Sequence, residues 1–229
     1  MKGLIKRVFS VFGVGVYRLE QNGKGQPPKC VVTSPLRHNS KEGLDQFYAD
    51  LETAESYLDF KFYDHLLEFL QGNGIALTGK NVVDVGCGTG RLLMAVNEKS
   101  PKSITGFEYS EAALKGACAN LPSGHFERFD VYEGDERQFD ILFCIEVLEH
   151  LLHPDKALKN MMRMIAPAGI ALLTVPNGRT DTFDGHINFW SPESWEVFIK
   201  DICHGFEIKT GVLPDEGCNF AIIKRTPET

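Results

Sequence analysis

The sequence predicts an α/β protein, a three-layer α/β/α sandwich on a mostly parallel sheet. Three observations predict it. From residue 76 onward, short β-branched apolar runs alternate with segments of helical period, which gives a parallel sheet with helices on both faces. The first run, Val82-Val83-Asp84-Val85, breaks into glycines on alternate residues, Gly86, Gly88 and Gly90, just before a helical stretch. Such a turn places backbone N–H groups and a helix N-terminus over the carboxyl edge of the sheet, where these folds bind ligands. The last two strands lack a helix between them, so they should form a hairpin that adds an antiparallel strand at one edge.

The elements follow in order. Residues 1–41 read as an N-terminal arm. Its basic start (Lys2, Lys6, Arg7) and apolar 8–16 stretch suggest either an element packed on its own domain or a weak membrane-surface contact. Without a small-residue cleavage site it does not read as a signal peptide. Residues 20–41, rich in Gly and Pro, read as a linker. Over 42–75, Leu44, Phe47, Tyr48 and Leu51, then Phe62, Leu66, Leu67 and Leu70, recur at helical steps, predicting two amphipathic helices as a lid or cap. In the 76–229 domain, helices are expected at 91–99, 110–120 (capped by Ser110), 154–165 and 192–202. Strands are expected at 103–108, 125–129, 139–145, 169–175, 206–212 and 219–225.

The chain has 229 residues, 43% hydrophobic and 24% charged, which accommodates one large domain with an extension. A formal net charge of −7 disfavours nucleic acid as a general partner. The six cysteines form no C-x-x-C pair, which fits a reducing, cytoplasmic setting, peripheral to a membrane if the arm touches one. No apolar run is long enough to span a bilayer. The glycines read G-x-G-x-G and not G-x-G-x-x-G, and Gly90-Arg91-Leu92 lacks the Lys-Ser/Thr of a phosphate loop, so neither phosphate-binding motif is met.

Asp84-Val85-Gly86-Cys87-Gly88-Thr89-Gly90 resembles the D-x-G-x-G-x-G motif of class I S-adenosylmethionine-dependent methyltransferases. Gly106-Phe107-Glu108-Tyr109-Ser110, Phe129-Asp130-Val131, Phe139 to Cys144 and Leu172 to Asn177 are similar to that family's later strand ends, in order. The resemblance implies a Rossmann-like fold of seven strands and S-adenosylmethionine as cofactor. It implies cofactor contacts from Asp84, Gly86, Cys87, Gly88, Gly90, Glu108, Tyr109, Asp130, Val131 and Cys144, with Glu108 on the ribose hydroxyls and Asp130 at the adenine amino group. Carboxylates suit these donors. The segment Tyr132 to Gln138 replaces the acidic-Leu-Pro stretch of many relatives.

On the acceptor side, Glu146, Glu149 and His150 would share a face if their turn is helical. His186, flanked by glycine and followed by Phe189-Trp190, reads as a loop histidine turned to a cleft. Two mechanisms fit. His150 or His186 acts as general base, with Glu146 in the same site. Alternatively Glu146, Glu149, His150 and His186 bind a divalent cation, magnesium or manganese, that holds the acceptor oxygen. The E-x-x-E-H segment resembles ubiquinone-pathway O-methyltransferases and the enzymes that methylate the terminal 2′-hydroxyl of small RNAs; it also occurs in relatives without a metal. The expected acceptor is a small molecule: a sugar, a lipid-linked intermediate or a quinone-like phenol. Leu44, Phe47, Tyr48 and Phe60 to Tyr63 are candidate walls for it. The rival readings are a non-catalytic S-adenosylmethionine-binding module and an RNA 2′-O-methyltransferase. The oligomeric state is not legible.

Overall fold

The computed structural model describes residues 16–20, 29–33, 39–49, 60–183, 185–214 and 216–226. The seven-stranded sheet comprises β3 (Asn81–Val85), β4 (Ser103–Glu108), β5 (His125–Arg128), β6 (Phe139–Ile145), β7 (Ile165–Val175), β8 (Glu207–Val212) and β9 (Asn219–Lys224), in the spatial order β5-β4-β3-β6-β7-β9-β8. The first five strands run parallel; β9 pairs antiparallel with both β7 and β8. The C-terminal hairpin is therefore an edge element, as predicted, with its second strand inserted next to β7. Strand order reverses between β3 and β6, and a crevice opens there beyond the carboxyl ends.

Strand periodicity divides the interior into two cores. Val82 of β3 and Ile141, Phe143 and Ile145 of β6 face one side. There they meet Leu66 and Leu70 of α2 (Phe60–Gly72) and Leu93 and Val96 of α3 (Arg91–Asn97). Val83, Val85, Leu142 and Cys144 face the other, against Leu158 and Met161 of α5 (Pro154–Arg163) and Trp195 and Ile199 of α6 (Pro192–Ile202). The buried Trp195 indole donates to the Phe220 carbonyl at 3.0 Å, so its one polar atom is satisfied. Helix α4 (Glu111–Asn120) starts as expected, with the Ser110 hydroxyl accepting from Ala113 N–H.

Two expectations change. The strand expected at 169–175 begins at Ile165, because Pro167-Ala168-Gly169 forms a break inside the strand and not a turn before it. Pairing jumps there from Phe139↔Ile165 to Ile141↔Ile170, and Ala168 takes a positive φ of 62°. The 20–41 linker contains β2 (Lys29–Thr33), which pairs antiparallel with β1 (Val16–Glu20). Two short runs of β-forming residues find each other across the Gly/Pro segment between them. The preceding 1–15 stretch, with its suggested membrane contact, lies outside the described residues. Helices α1 (Lys41–Ala49) and α2 match the two predicted before the core. Among the described residues no helix is long and apolar enough to cross a membrane.

Candidate active site

A cavity of about 520 Å³ occupies the crevice, within the range of small-molecule sites. Its floor is the turn after β3. The Gly86 and Cys87 N–H groups donate to the Phe107 carbonyl at 2.8 and 3.0 Å, tying the turn to β4. Gly86 has φ 82°, and a Cβ there would stand 2.4 Å from Val147 Cγ2, so only glycine lets the turn pass under the segment after β6. Gly88 faces the cavity; Gly90 lies behind it as the left-handed N-cap of α3.

Two buried carboxylates frame this turn. Glu108 accepts from Gly88 N–H through Oε2 at 2.9 Å, and from Tyr109 and Ser110 N–H through Oε1 at 2.8 and 2.9 Å. Burial raises its pKa and the three backbone donors oppose that rise. Asp84 is buried with Oδ1 unpartnered; burial, then the Glu108 charge, push its carboxyl up to about 8. A cationic group of a ligand is what such an oxygen needs. Farther along, Phe107 stacks on Phe129 at 4.3 Å, Asp130 Oδ1 accepts from Tyr132 N–H at 2.8 Å, and Arg128 lies over the Tyr109 ring. Tyr109, Phe129, Asp130, Val131 and Cys87 all line the cavity. Cys144 does not. The two-residue period of β6 turns its thiol into the α5–α6 core and leaves Ile145 at the cavity wall.

Helix α1 closes the cavity from above. Ser40 Oγ caps it by accepting from Gly43 N–H at 3.1 Å. Asp45 Oδ1 accepts from Ser110 Oγ at 2.7 Å and from Ala112 N–H at 3.3 Å, and Lys41 pairs with Glu111. The helix thus rests on the start of α4, and Leu44, Phe47 and Tyr48 become cavity walls, with Tyr63 of α2. Phe62 packs into the core instead.

The acceptor side departs from the helical expectation at one point. Glu146 takes a left-handed φ of 56°, and the helical turn is a single 3-10 turn, Leu148–His150. Ligating atoms of Glu149, His150 and His186 come together within 4.8 Å of one another; Glu146 is not in this group. It lines the cavity, its Oε1 is buried and unpartnered, and burial pushes its carboxyl up to about 7. His186 is not turned to open cleft. It is 5% exposed and packed edge-on behind His150, ring centroids 4.6 Å apart. Of the two histidines, His150 lines the cavity.

Hydrogen bonds fix both rings. Asp181 Oδ2 lies 2.6 Å from His186 Nδ1, and a carboxylate accepts, so Nδ1 carries a proton, and in the neutral ring Nε2 holds a lone pair. His150 Nδ1 lies 3.0 Å from Asn39 Oδ1 and 3.3 Å from the Gly185 carbonyl; both accept, so its Nε2 also carries a lone pair. Each Nε2 is 3.8 Å from Glu149 Oε1. Both Glu149 oxygens and His186 Nε2 are buried without a hydrogen-bond partner. Three acceptors therefore converge, and burial drives the Glu149 pKa well above its ordinary value. Asn188 anchors the surrounding loops, donating to the Leu151 carbonyl at 2.7 Å. Asn39, Asp181 and Asn188 are partners that sequence reasoning missed. An Asp five residues before a loop histidine was the one visible signal.

The chain matches the family described as methyltransferase domain over residues 55–208. It is 34% identical over 101 residues to the ubiquinone biosynthesis O-methyltransferase of Coxiella burnetii, covering 42% of this chain and 43% of that protein. Against its namesake in Pseudomonas entomophila it is 33% identical over 110 residues, 45% and 47% of the two chains. The matches thus span less than half the length of these relatives. Among solved structures, the magnesium protoporphyrin IX methyltransferase of Synechocystis PCC 6803 with bound SAH superposes with a TM-score of 0.65 at 16% identity, covering 82% of this chain and 100% of that one. The N-methyltransferase NodS of Bradyrhizobium japonicum with S-adenosyl-L-homocysteine (SAH) gives 0.63 at 21% identity, over 83% and 100%.

Proposed function

The chain belongs to the methyltransferase domain family, with the class I fold of S-adenosylmethionine-dependent members, and we propose that it methylates a hydroxyl of a small molecule with a divalent cation at Glu149, His150 and His186. The convergence of three acceptor groups, two of them fully buried and unpartnered, carries the cation reading. Two imidazole nitrogens and a carboxylate, each imidazole held by a carboxylate or amide at its other nitrogen, are the donors and outer partners of a protein metal site. Magnesium or manganese suits the set, as zinc or iron does. Glu146 enters this reading as a cavity wall and not as a ligand.

S-adenosylmethionine supplies an electrophilic methyl when bound, and a cation supplies Lewis acidity that lowers the pKa of a hydroxyl. The chain does the rest. Glu108 and the Gly86–Gly88 turn present acceptors and backbone dipoles to a ribose, Asp84 offers its unpartnered oxygen to a cationic group, and Phe129 to Tyr132 enclose a base. Leu44, Phe47, Tyr48 and Phe183 make an apolar wall that excludes water and suits a phenol or lipid-like acceptor better than a bare sugar. The two relatives named as ubiquinone biosynthesis O-methyltransferases support the same lean. One observation favours a second mechanism: His150 alone of the two histidines lines the cavity, where it can take a hydroxyl proton without a metal.

Chelation separates the two. In a screen of phenolic and sugar acceptors, transfer should stop with chelator and return with manganese or magnesium. Full activity in chelator rejects the cation and leaves His150 as base, a role that His150→Ala then tests. SAH binding without turnover on any acceptor favours a binding module over an enzyme.

A further inference from the structure

Asn39 sits at the leading end of the lid helix α1, 111 residues from His150 in sequence, yet its side chain touches the His150 ring. Its amide can be oriented without ambiguity. Nδ2 lies 2.9 Å from the Gly185 carbonyl oxygen, which only accepts. The nitrogen must therefore face Gly185, and the oxygen must face His150. The His150 atom there, Nδ1, must then be the donor. One carbonyl thus sets the amide, and the amide sets the tautomer of the ring that lines the cavity. Asp181 does the same for His186 from the opposite side.

We infer that Asn39 is a positioning residue, by which the lid holds His150 in the tautomer and orientation that present Nε2 to Glu149 and the cavity. The inference rests on the reading of His150 as an acceptor-side group but not on which of its two mechanisms operates. A cation site needs the Nε2 lone pair, and so does a general base. It also joins the two halves of the site. The same short helix that walls the cofactor turn with Tyr48 and rests on Ser110 through Asp45 follows directly, after its cap Ser40, on the residue that fixes the acceptor histidine. With α1 docked in this way, one segment completes both the cofactor turn and the acceptor side.

The test uses the full chain with ¹⁵N-labelled histidine, in chelator, at a pH where imidazole is neutral. The His150 ring is identified as the signal lost in His150→Gln. Wild type should give the Nδ1–H tautomer. Asn39→Ala, which removes the 3.0 Å acceptor and leaves the longer 3.3 Å one of Gly185, should show a measurable Nε2–H population. It should also weaken manganese binding by roughly 10- to 100-fold, the usual effect of losing an outer partner of a ligand. SAH affinity should stay unchanged. Asn39→Asp, which keeps an acceptor against Nδ1, should restore the wild-type tautomer. If wild type binds no manganese while the tautomer still shifts, the cation reading fails and the positioning role stands. An unchanged tautomer in Asn39→Ala overturns the inference. So does a loss of SAH affinity that Asn39→Asp does not repair, which would make Asn39 a structural part of the lid.

Discussion

Glu108 and Glu149 are both buried glutamates at the carboxyl side of the sheet, one ending β4 and one following β6, and the chain treats them in opposite ways. Glu108 receives three backbone N–H groups from the turn and the start of α4. Those bonds hold part of its charge inside the protein, and about one of the roughly four lone-pair sites of a carboxylate remains for a ligand. Among the described residues neither Glu149 oxygen has a hydrogen-bond partner, and Oε1 lies 3.8 Å from each of two imidazole nitrogens. The proposed cofactor end is organised by the backbone of the fold. The acceptor end is organised by side chains, and its charge balance depends on a proton or a cation. An unpaired buried carboxylate is costly enough that the difference marks where the site interacts with something positive.

Exchanging the two carboxylates for neutral groups is the strongest way to break this comparison. Glu108→Ala removes an acceptor that also ties down the turn, so SAH affinity should fall by roughly 10- to 100-fold, the worth of hydrogen bonds to a charged group. Glu149→Gln should leave SAH affinity alone and raise the melting temperature of the ligand-free protein at pH 8, because it removes a carboxyl whose ionisation burial opposes in the folded chain only. The same variant should abolish any thermal stabilisation that manganese gives wild type. Calorimetry and thermal melts with and without manganese check all three. If Glu149→Gln weakens SAH as much as Glu108→Ala does, the two ends are not separable.

A smaller effect is expected from Asp84, which belongs to the cofactor end yet keeps one oxygen unpartnered. Its carboxyl stands at about 8 in the folded chain against 3.8 ordinarily. The folded state thus keeps a proton that the unfolded chain releases. The associated stability is present below about pH 4 and is lost as pH rises from about 4 toward 8. Glu146, raised to about 7, acts with the same sign over a lower window. Ligand-free wild type should therefore lose more melting temperature between pH 5 and 8 than Asp84→Asn, with the gap on the order of 10 °C for a chain of this size. Parallel curves would show that Asp84 is already ionised and paired.

The same contrast governs what could be read from sequence. The strand, turn and helix of the proposed cofactor end were legible because each part is local. Val82 to Gly90 carries strand, turn and helix start in one stretch, and Ser110 caps the helix that follows it. The acceptor end was legible in composition and not in arrangement. Glu146, Glu149 and His150 share a face only on a helix, and a left-handed residue at Glu146 delays that turn and drops it from the cluster. His186 looked like a cleft residue because glycine and loop residues surround it. Its burial comes from Phe183 and His150, neighbours that only the folded chain supplies. Cys144 was misassigned because membership of a matching motif says nothing about which face of a strand a residue takes.

The lid decides how far the two ends are independent, and its docking contact allows the finest test. Asp45 holds α1 against α4 through the Ser110 hydroxyl and Ala112 N–H, and the Ser110 bond keeps its carboxyl below the usual range. Ser110 N–H is also one of the three donors to Glu108. Asp45→Ala therefore loosens the lid from a residue that touches the cofactor end without removing a cofactor contact. SAH affinity should fall by only roughly two- to fivefold, the scale of an exposed polar contact. The lid, however, carries Asn39 at its other end, so the larger effect should fall on acceptor turnover. A drop in kcat at saturating cofactor that exceeds the loss of SAH affinity fits a lid that serves the acceptor end through Asn39. Equal losses would mean that α1 is part of the cofactor cradle, and that the acceptor end depends on side chains the lid does not control.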